Sequence, residues 1–175
     1  LSFGLTALFL IASAFGLISL ILICFIKETL PNPVKFKLSL LSIRLNDVFE
    51  PTVIPASIVM LLSVTSSGII FVLTPEMSVF FGEPNKGWFF GFYVLSTIFI
   101  RLFASSLSDR IGRRKTLLIG ISIMLISIVL LALSTEIVMF TFAAIIFGIA
   151  TGINSPTLFA WTADLSPEHR RGVGA

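Results

Sequence analysis

Long apolar stretches separated by short polar segments run through most of this chain. A helix that crosses the hydrocarbon of a bilayer needs roughly 20 apolar residues. The stretches that reach this length are Ser2–Ile26, Pro55–Met77, Gly87–Leu107, Thr116–Ser134 and Val138–Ala163. They are apolar on all faces and lack the alternating polarity of transmembrane β-strands, so helices buried in lipid or in a bundle are favoured. The pattern predicts an all-α integral membrane protein with five transmembrane helices.

Composition strengthens the membrane prediction. Of the 175 residues, 56% are hydrophobic and only 12% are charged, whereas a soluble domain has about 25% charged residues. Too few charges remain to cover a soluble surface, and the lipid bilayer is therefore the expected solvent. Basic residues cluster at the ends of the apolar stretches, the membrane pattern, so no nucleic-acid partner is expected.

The residue types that usually carry catalysis or bind metal ions are scarce in this sequence. Cys24 is the only cysteine, which excludes a disulfide framework and a cysteine-based metal site. The only histidine, His169, lies in a polar segment without a cluster of possible ligands around it. We therefore predict no catalytic residue, no metal site and no cofactor, and a protein that is not an enzyme.

The distribution of basic residues predicts the orientation of the chain. Ten of the twelve basic residues lie in residues 27–51, in the turn after the third stretch and in the C-terminal segment. The positive-inside rule places these three segments in the cytoplasm and the N-terminus outside. Within residues 27–51, Phe36–Phe49 has the pattern of a short helix on the membrane surface, and an ordinary linker fits equally well. The expected location is the cell membrane, or the cytoplasmic (inner) membrane of a bacterium.

The turn between the third and fourth stretches carries the most specific motif, with residues 105–117 reading SSLSDRIGRRKTL. Gly112 permits a tight backbone turn between antiparallel helices. Asp109 offers a carboxylate, and the three arginines can pair with carboxylates or lipid phosphates. A basic turn by itself is explained by the positive-inside rule. The complete Asp-Arg-x-Gly-Arg-Arg spacing in a turn between two spans is a far more specific signal.

This motif resembles the signature of the major facilitator superfamily, Gly-x-Leu-x-Asp-Arg-x-Gly-Arg-Arg/Lys-x-x-Leu. Ser105 departs from it, because the family prefers glycine there. The family places this turn after its second and eighth helices, and an amphipathic linker after its sixth. The resemblance implies that residues 1–26 are helix six, residues 27–51 the linker between halves, and residues 52–175 helices seven to ten of an incomplete C-terminal half. The chain is accordingly expected to be a fragment of a twelve-helix protein.

The resemblance also implies a function. Members of the family are secondary active transporters that move small molecules by alternating access. The final run, DLSPEHRRG, resembles the end of helix ten in drug- and sugar-efflux members, which implies efflux coupled to protons. The full-length protein is expected to be a monomer. A non-transporting scaffold or receptor that keeps the fold is the alternative.

A first group of candidate residues is assigned to gating at the cytoplasmic side. It comprises Asp109, Arg110, Gly112, Arg113, Arg114, Asp164, Arg170 and Arg171. Arg113 is hypothesised to pair with Asp164 and to hold the cytoplasmic ends of helices eight, nine and ten together. The alternative is that both side chains are simply solvated, because exposed ion pairs are often weak.

A second group is assigned to the substrate cavity, which the family builds from helices seven and ten. It comprises Ser63, Ser67, Arg101, Asn154, Ser155 and Trp161. Four of them have an alternative: helix contact or back-bonding for Ser63 and Ser67, extension of Arg101 to the surface, and anchoring of Trp161 in the interfacial belt. Asn154 is costly in lipid and should face protein or water. Gly148 and Gly152 form a GxxxG pair that permits close helix approach.

Overall fold

The protein is described by a computed structural model that covers residues 2–26 and 51–166. A short 3-10 turn, Pro51–Val53, precedes the second of five α-helices. The helices are α1 Ser2–Phe25, α2 Ile54–Phe80, α3 Trp88–Ile111, α4 Arg113–Ala132 and α5 Ile137–Leu165. The described residues contain no β-strand, so the predicted all-α class is confirmed.

Four helices, α1, α2, α4 and α5, are long and apolar enough to cross a membrane. The fifth, α3, has 24 residues, which gives a length of about 36 Å at 1.5 Å per residue. Its most apolar part, Trp88–Phe103, is shorter than a full span and contains Arg101. Its last two turns carry the polar motif, so α3 can cross the hydrocarbon only if these turns reach the interface.

The turn between α3 and α4 is shorter than the sequence predicted. The third and fourth stretches were expected to end at Leu107 and to begin at Thr116, but only Gly112 separates the two helices. Asp109, which lies beyond the expected end of the third stretch, is therefore in the last turn of α3. Hydropathy marks the edge of the hydrocarbon, whereas backbone hydrogen bonds continue a helix into the polar region beyond it.

Helix α1 is described by itself. It has 24 residues without a charge, and all its described side chains are exposed. Such a helix is stable only where lipid or other protein covers it. The predicted linker, including Phe36–Phe49, lies outside the described residues.

In residues 51–166, α5 is the central helix and packs mainly against α3 and α4. Aromatic rings fill the space at one end of this bundle. Phe89 on α3 and Phe140 and Phe147 on α5 are completely buried. Phe71 brings α2 into the cluster, with its ring centroid 5.3 Å from that of Tyr93 and 6.1 Å from that of Phe147. Offset and edge contacts of this kind stabilise helix packing beyond the area they bury.

Glycines on α5 allow α3 to come unusually close. A β-carbon on Gly148 would run into the Ser96 hydroxyl and the Tyr93 carbonyl oxygen. At the position of Gly152, it would run into the Ile100 side chain. The GxxxG pair therefore makes the close helix contact that the sequence predicted.

Hydroxyl groups also join α5 to α3 and to α4 by hydrogen bonds. Thr97 on α3 donates a hydrogen bond to the Gly148 carbonyl oxygen at 3.0 Å. Ser127 on α4 donates to the Ala143 carbonyl oxygen at 2.8 Å. In lipid such bonds between helices add to van der Waals packing, because apolar side chains gain little from leaving a hydrocarbon solvent.

The close contact at Gly148 predicts a stability effect. Gly148→Ala should lower the free energy of unfolding by about 1–3 kcal/mol, the usual cost of overpacking, because the new methyl group meets a backbone carbonyl. Gly68→Ala on α2, where a β-carbon meets nothing within 4 Å, is the control and should not destabilise. Unfolding of the purified full-length protein in mixed micelles measures both. Equal stability of the two variants would contradict the contact.

Candidate functional site

The turn at Gly112 requires glycine. Its backbone has φ +90° and ψ 148°, a region that side-chain-bearing residues rarely adopt. Its amide donates to the Ser108 carbonyl oxygen at 3.1 Å, which closes α3, and its own carbonyl accepts from the Thr116 amide at 3.1 Å, which opens α4. One residue thus reverses the chain and brings the two helix ends together.

Arg113, the first residue of α4, connects three helix ends. Its Nη1 atom lies 2.6 Å from Asp109 Oδ1 and 2.9 Å from the Ser108 hydroxyl, both in the last turn of α3. Its Nε atom lies 3.0 Å from Asp164 Oδ2, near the end of α5. The hypothesised contact between Arg113 and Asp164 is therefore present, and Asp109 joins it. We call Ser108, Asp109, Arg113 and Asp164 the arginine cluster.

The arginine cluster is open to its surroundings. The side chains of Asp109 and Asp164 are 65% and 57% exposed, and that of Arg113 is 29% exposed. Ion pairs with this exposure contribute little to stability. The planar guanidinium of Arg113 contacts the carboxylates of Asp109 and Asp164 at once. The main effect of the arginine cluster is therefore to set the geometry of the three helix ends.

Two further gating candidates, Arg110 and Arg114, do not join the cluster. Arg110 and Arg114 are exposed, and neither forms an ion pair with an acidic residue in the described part of the chain. They remain available to lipid phosphates or to other parts of the protein. Arg170 and Arg171 lie outside the described residues.

A second feature is a half-open cavity of about 260 Å³ lined by α2, α4 and α5. Four of the predicted cavity residues lie in its wall, Ser63 and Ser67 on α2 and Asn154 and Ser155 on α5. The full wall consists of Met60, Ser63, Val64, Ser67, Met124, Thr151, Asn154, Ser155, Leu158 and Phe159. We call it the polar cavity. Three helices therefore bring together residues that are far apart in sequence.

The hydroxyls in the wall differ in their hydrogen bonding. Ser67 donates to the Ser63 carbonyl oxygen at 2.9 Å, the back-bonding that was one of the alternatives for this residue. Thr151 donates to the Phe147 carbonyl oxygen at 3.0 Å. A hydroxyl that donates in this way can still accept a hydrogen bond from a ligand.

Asn154 is the exceptional residue of the wall. It is only 4% exposed, and neither its Oδ1 nor its Nδ2 atom has a hydrogen-bond partner among the described residues. The carboxamide packs against Gly120 of α4, where a β-carbon would collide with Asn154 Oδ1. Asn154 therefore faces protein and not lipid, as expected.

Two predicted cavity residues lie elsewhere. Arg101 on α3 is exposed and has no ion-pair partner in the described part of the chain. Trp161 is half-buried and does not line the polar cavity. Their alternatives, extension to the surface and anchoring in the interface, are compatible with these positions.

Sequence reasoning missed three residues that shape these sites. Gly120 makes room for the Asn154 carboxamide, Met124 contributes α4 to the cavity wall, and Ser108 binds Arg113. An isolated glycine in an apolar stretch signals a close approach, but nothing local indicates which helix approaches.

The long apolar helices and the motif turn define a class, multi-helix membrane proteins, and comparison with known proteins identifies the family. The sequence model of the Major Facilitator Superfamily matches residues 56–175. The chain therefore belongs to this superfamily, and its relatives are transporters and not enzymes. No solved structure matches the chain.

Three relatives illustrate the range of the matches. A D-xylose transporter of Levilactobacillus brevis is 31% identical over 107 residues, which cover 61% of this chain and 23% of that protein. An uncharacterized MFS-type transporter, EfpA, of Mycobacterium tuberculosis is 28% identical over 122 residues, which cover 69% of this chain and 23% of that protein. The MFS-type transporter oryC of Aspergillus oryzae is 34% identical over 99 residues, which cover 57% of this chain and 17% of that protein. The matches span less than a quarter of the length of each relative.

The arginine cluster predicts a charge-swap result. Arg113→Asp and Asp164→Arg should each lower the transport rate of the full-length protein about tenfold, because each leaves like charges together. A tenfold change in rate corresponds to about 1.4 kcal/mol of activation free energy. The double variant should recover most of the rate, but not all, because Asp109 and Ser108 lose their guanidinium donor.

Lys115→Asp provides the matched control for this swap. Lys115 is exposed in the first turn of α4 and lies outside the arginine cluster, so this change should leave the rate within about twofold, as surface changes usually do. A double variant no faster than the single variants would contradict a functional Arg113–Asp164 pair.

Proposed function

We propose that the full-length protein is a secondary active transporter that moves small molecules by alternating access. The observation that carries this proposal is the meeting of Ser63, Ser67, Asn154 and Ser155 in one cavity between α2 and α5. Polar groups at this depth are expensive in a bilayer, and such groups usually mark a substrate path. Family membership and the name of the D-xylose transporter agree with small-molecule transport.

We further propose that α1 is helix six of the family order and that α2 to α5 are helices seven to ten. The cavity wall from α2 and α5 would then be one side of a pathway completed by the other half of the protein. The arginine cluster supports alternating access, because helices joined at one end by a shared guanidinium can move as a body. Rocking of such bodies is how secondary transporters expose a site to each side in turn.

Proton-coupled efflux is the finer part of the proposal. All acidic side chains in the described residues lie in loops or in the last two turns of a helix: Glu76, Glu83, Asp109, Glu136 and Asp164. A carboxylate that carries the coupling proton at membrane depth would therefore come from outside the described residues. The resemblance of the C-terminal run to efflux members supports the direction.

Transport is tested with the full-length protein in liposomes. D-xylose is a suitable first probe, because one relative carries that name, and a panel of uncharged drug-like compounds follows. We expect saturable flux of the transported compound away from the side that corresponds to the cytoplasm. An imposed pH gradient should accelerate this flux, and protein-free liposomes are the control. Saturable flux that ignores the gradient would contradict proton coupling. Absence of flux for every compound would favour the scaffold or receptor.

Orientation is tested by labelling single cysteines. Cys24→Ser removes the only cysteine of this sequence, and any cysteine elsewhere in the full-length protein is replaced by serine in the same way. Lys115→Cys lies in the first turn of α4, and Thr135→Cys lies in the loop between α4 and α5 at the opposite end. A membrane-impermeant maleimide added to intact cells should label position 135 and not position 115, as the positive-inside rule requires. The reverse pattern would invert the proposed orientation.

A further inference from the structure

Asn154 on α5 carries a buried carboxamide that has no hydrogen-bond partner among the described residues. Its Oδ1 and Nδ2 atoms are both unpaired, and neither atom is accessible from the polar cavity. Because the described helices already enclose both atoms, no ligand, water or further part of the protein reaches them in this conformation. A buried amide without hydrogen bonds raises the free energy of the conformation that contains it.

The carboxamide lies in a notch on α4 that Gly120 forms. A β-carbon at Gly120 would collide with the Oδ1 atom of Asn154, and a glycine has no side chain with which the amide could pair. Buried hydroxyls on the same two helices are satisfied, because Thr157 donates to the Ile153 carbonyl oxygen at 2.7 Å and Ser127 donates across to α5. The unmet hydrogen bonds therefore belong to Asn154 and not to this helix contact as a whole.

The backbone on each side of Asn154 permits this part of α5 to move. Pro156 lies inside the helix and has no amide hydrogen, so the Gly152 carbonyl oxygen lacks its partner one turn later. Helices bend most readily where a proline removes such a bond. A small rotation of α5 at this point would turn the carboxamide out of the notch toward the polar cavity, whose wall contains the hydroxyls of Ser63 and Ser155.

We propose that Asn154 is a positioning residue that keeps two conformations of α5 close in free energy. In the described conformation the carboxamide is unpaired in the Gly120 notch. In the second conformation it leaves the notch and forms hydrogen bonds at the edge of the polar cavity, with water or with a wall hydroxyl. The unpaired amide thus offsets the tight packing that favours the first conformation. This inference rests on the proposed alternating access, which requires two conformations of similar free energy.

Substitutions of Asn154 test the sign of its effect on stability. Asn154→Thr replaces the amide with a hydroxyl that can donate to the Ala150 carbonyl oxygen of its own helix, and Asn154→Ala removes the polar group. In the full-length protein, held in lipid nanodiscs, each variant should raise the midpoint of thermal unfolding by about 2 °C or more. Thr157→Val is the matched control. It removes a buried hydroxyl that is already hydrogen-bonded, so it should not raise the midpoint.

Hydrogen–deuterium exchange, measured by mass spectrometry on the same samples, tests the movement and needs no transported compound. Backbone amides of residues 150–158 exchange when this part of α5 opens to water. In Asn154→Thr and Asn154→Ala they should exchange about tenfold more slowly than in the unaltered protein, because the described conformation no longer contains an unpaired amide.

Gly120→Ala tests the notch with the opposite sign. The added methyl group collides with Asn154 Oδ1, so it should drive the carboxamide out and accelerate exchange of residues 150–158 about tenfold. In combination with Asn154→Ala, which removes the colliding group, Gly120→Ala should change the exchange rate much less. Equal effects of Gly120→Ala in both backgrounds would contradict a coupling between the notch and the carboxamide.

The outcomes separate this inference from the transport proposal. A lower unfolding midpoint in both Asn154 variants would overturn it, because the amide would then be paired in the folded protein. Unchanged exchange of residues 150–158 in every variant would also overturn it, because the carboxamide would then not leave the notch. A raised midpoint with slower exchange, in a protein that moves no compound in the flux assays, would support the role of Asn154 and contradict transport.

Discussion

The close approach of α5 to its neighbours is the constraint on which the described bundle depends. Gly148 and Gly152 remove the side chains that would separate α5 from α3, and Gly120 does the same on α4 opposite Asn154. In lipid, burial of apolar side chains supplies little force between helices, so fit and interhelical hydrogen bonds decide which helices associate. The Thr97 and Ser127 hydrogen bonds form only because the backbones are this close.

The same packing produces the contrast between satisfied and unsatisfied polar groups. Most hydroxyls in the bundle donate to a carbonyl oxygen of their own helix or of a neighbour, and therefore cost little at membrane depth. The carboxamide of Asn154 has no hydrogen-bond partner among the described residues, and it faces Gly120, which has no side chain to offer one. The polar cavity is thus a consequence of tight packing on one side of Asn154 and of open space between α2 and α5 on the other.

Several elements were predictable from local pattern. The apolar stretches located every described helix to within a few residues at most ends, because the width of the hydrocarbon determines how long each must be. The α3–α4 turn was the exception, since hydropathy does not register polar residues that continue a helix. The Arg113–Asp164 contact was predicted from the motif and the expected helix order, but the addition of Asp109 and Ser108 depended on α3 extending to Ile111.

The sequence by itself determined that this chain is a helical membrane protein of the Major Facilitator Superfamily, because hydropathy and the motif around Gly112 depend only on neighbouring residues. Tertiary structure decided which polar residues share a site. It placed Ser63, Ser67, Asn154 and Ser155 around one cavity with Met124 of α4, and left Arg101 and Trp161 outside it. The rotation of each helix about its axis settles this grouping, and rotation is set by glycine contacts between helices that the pattern along one helix does not contain.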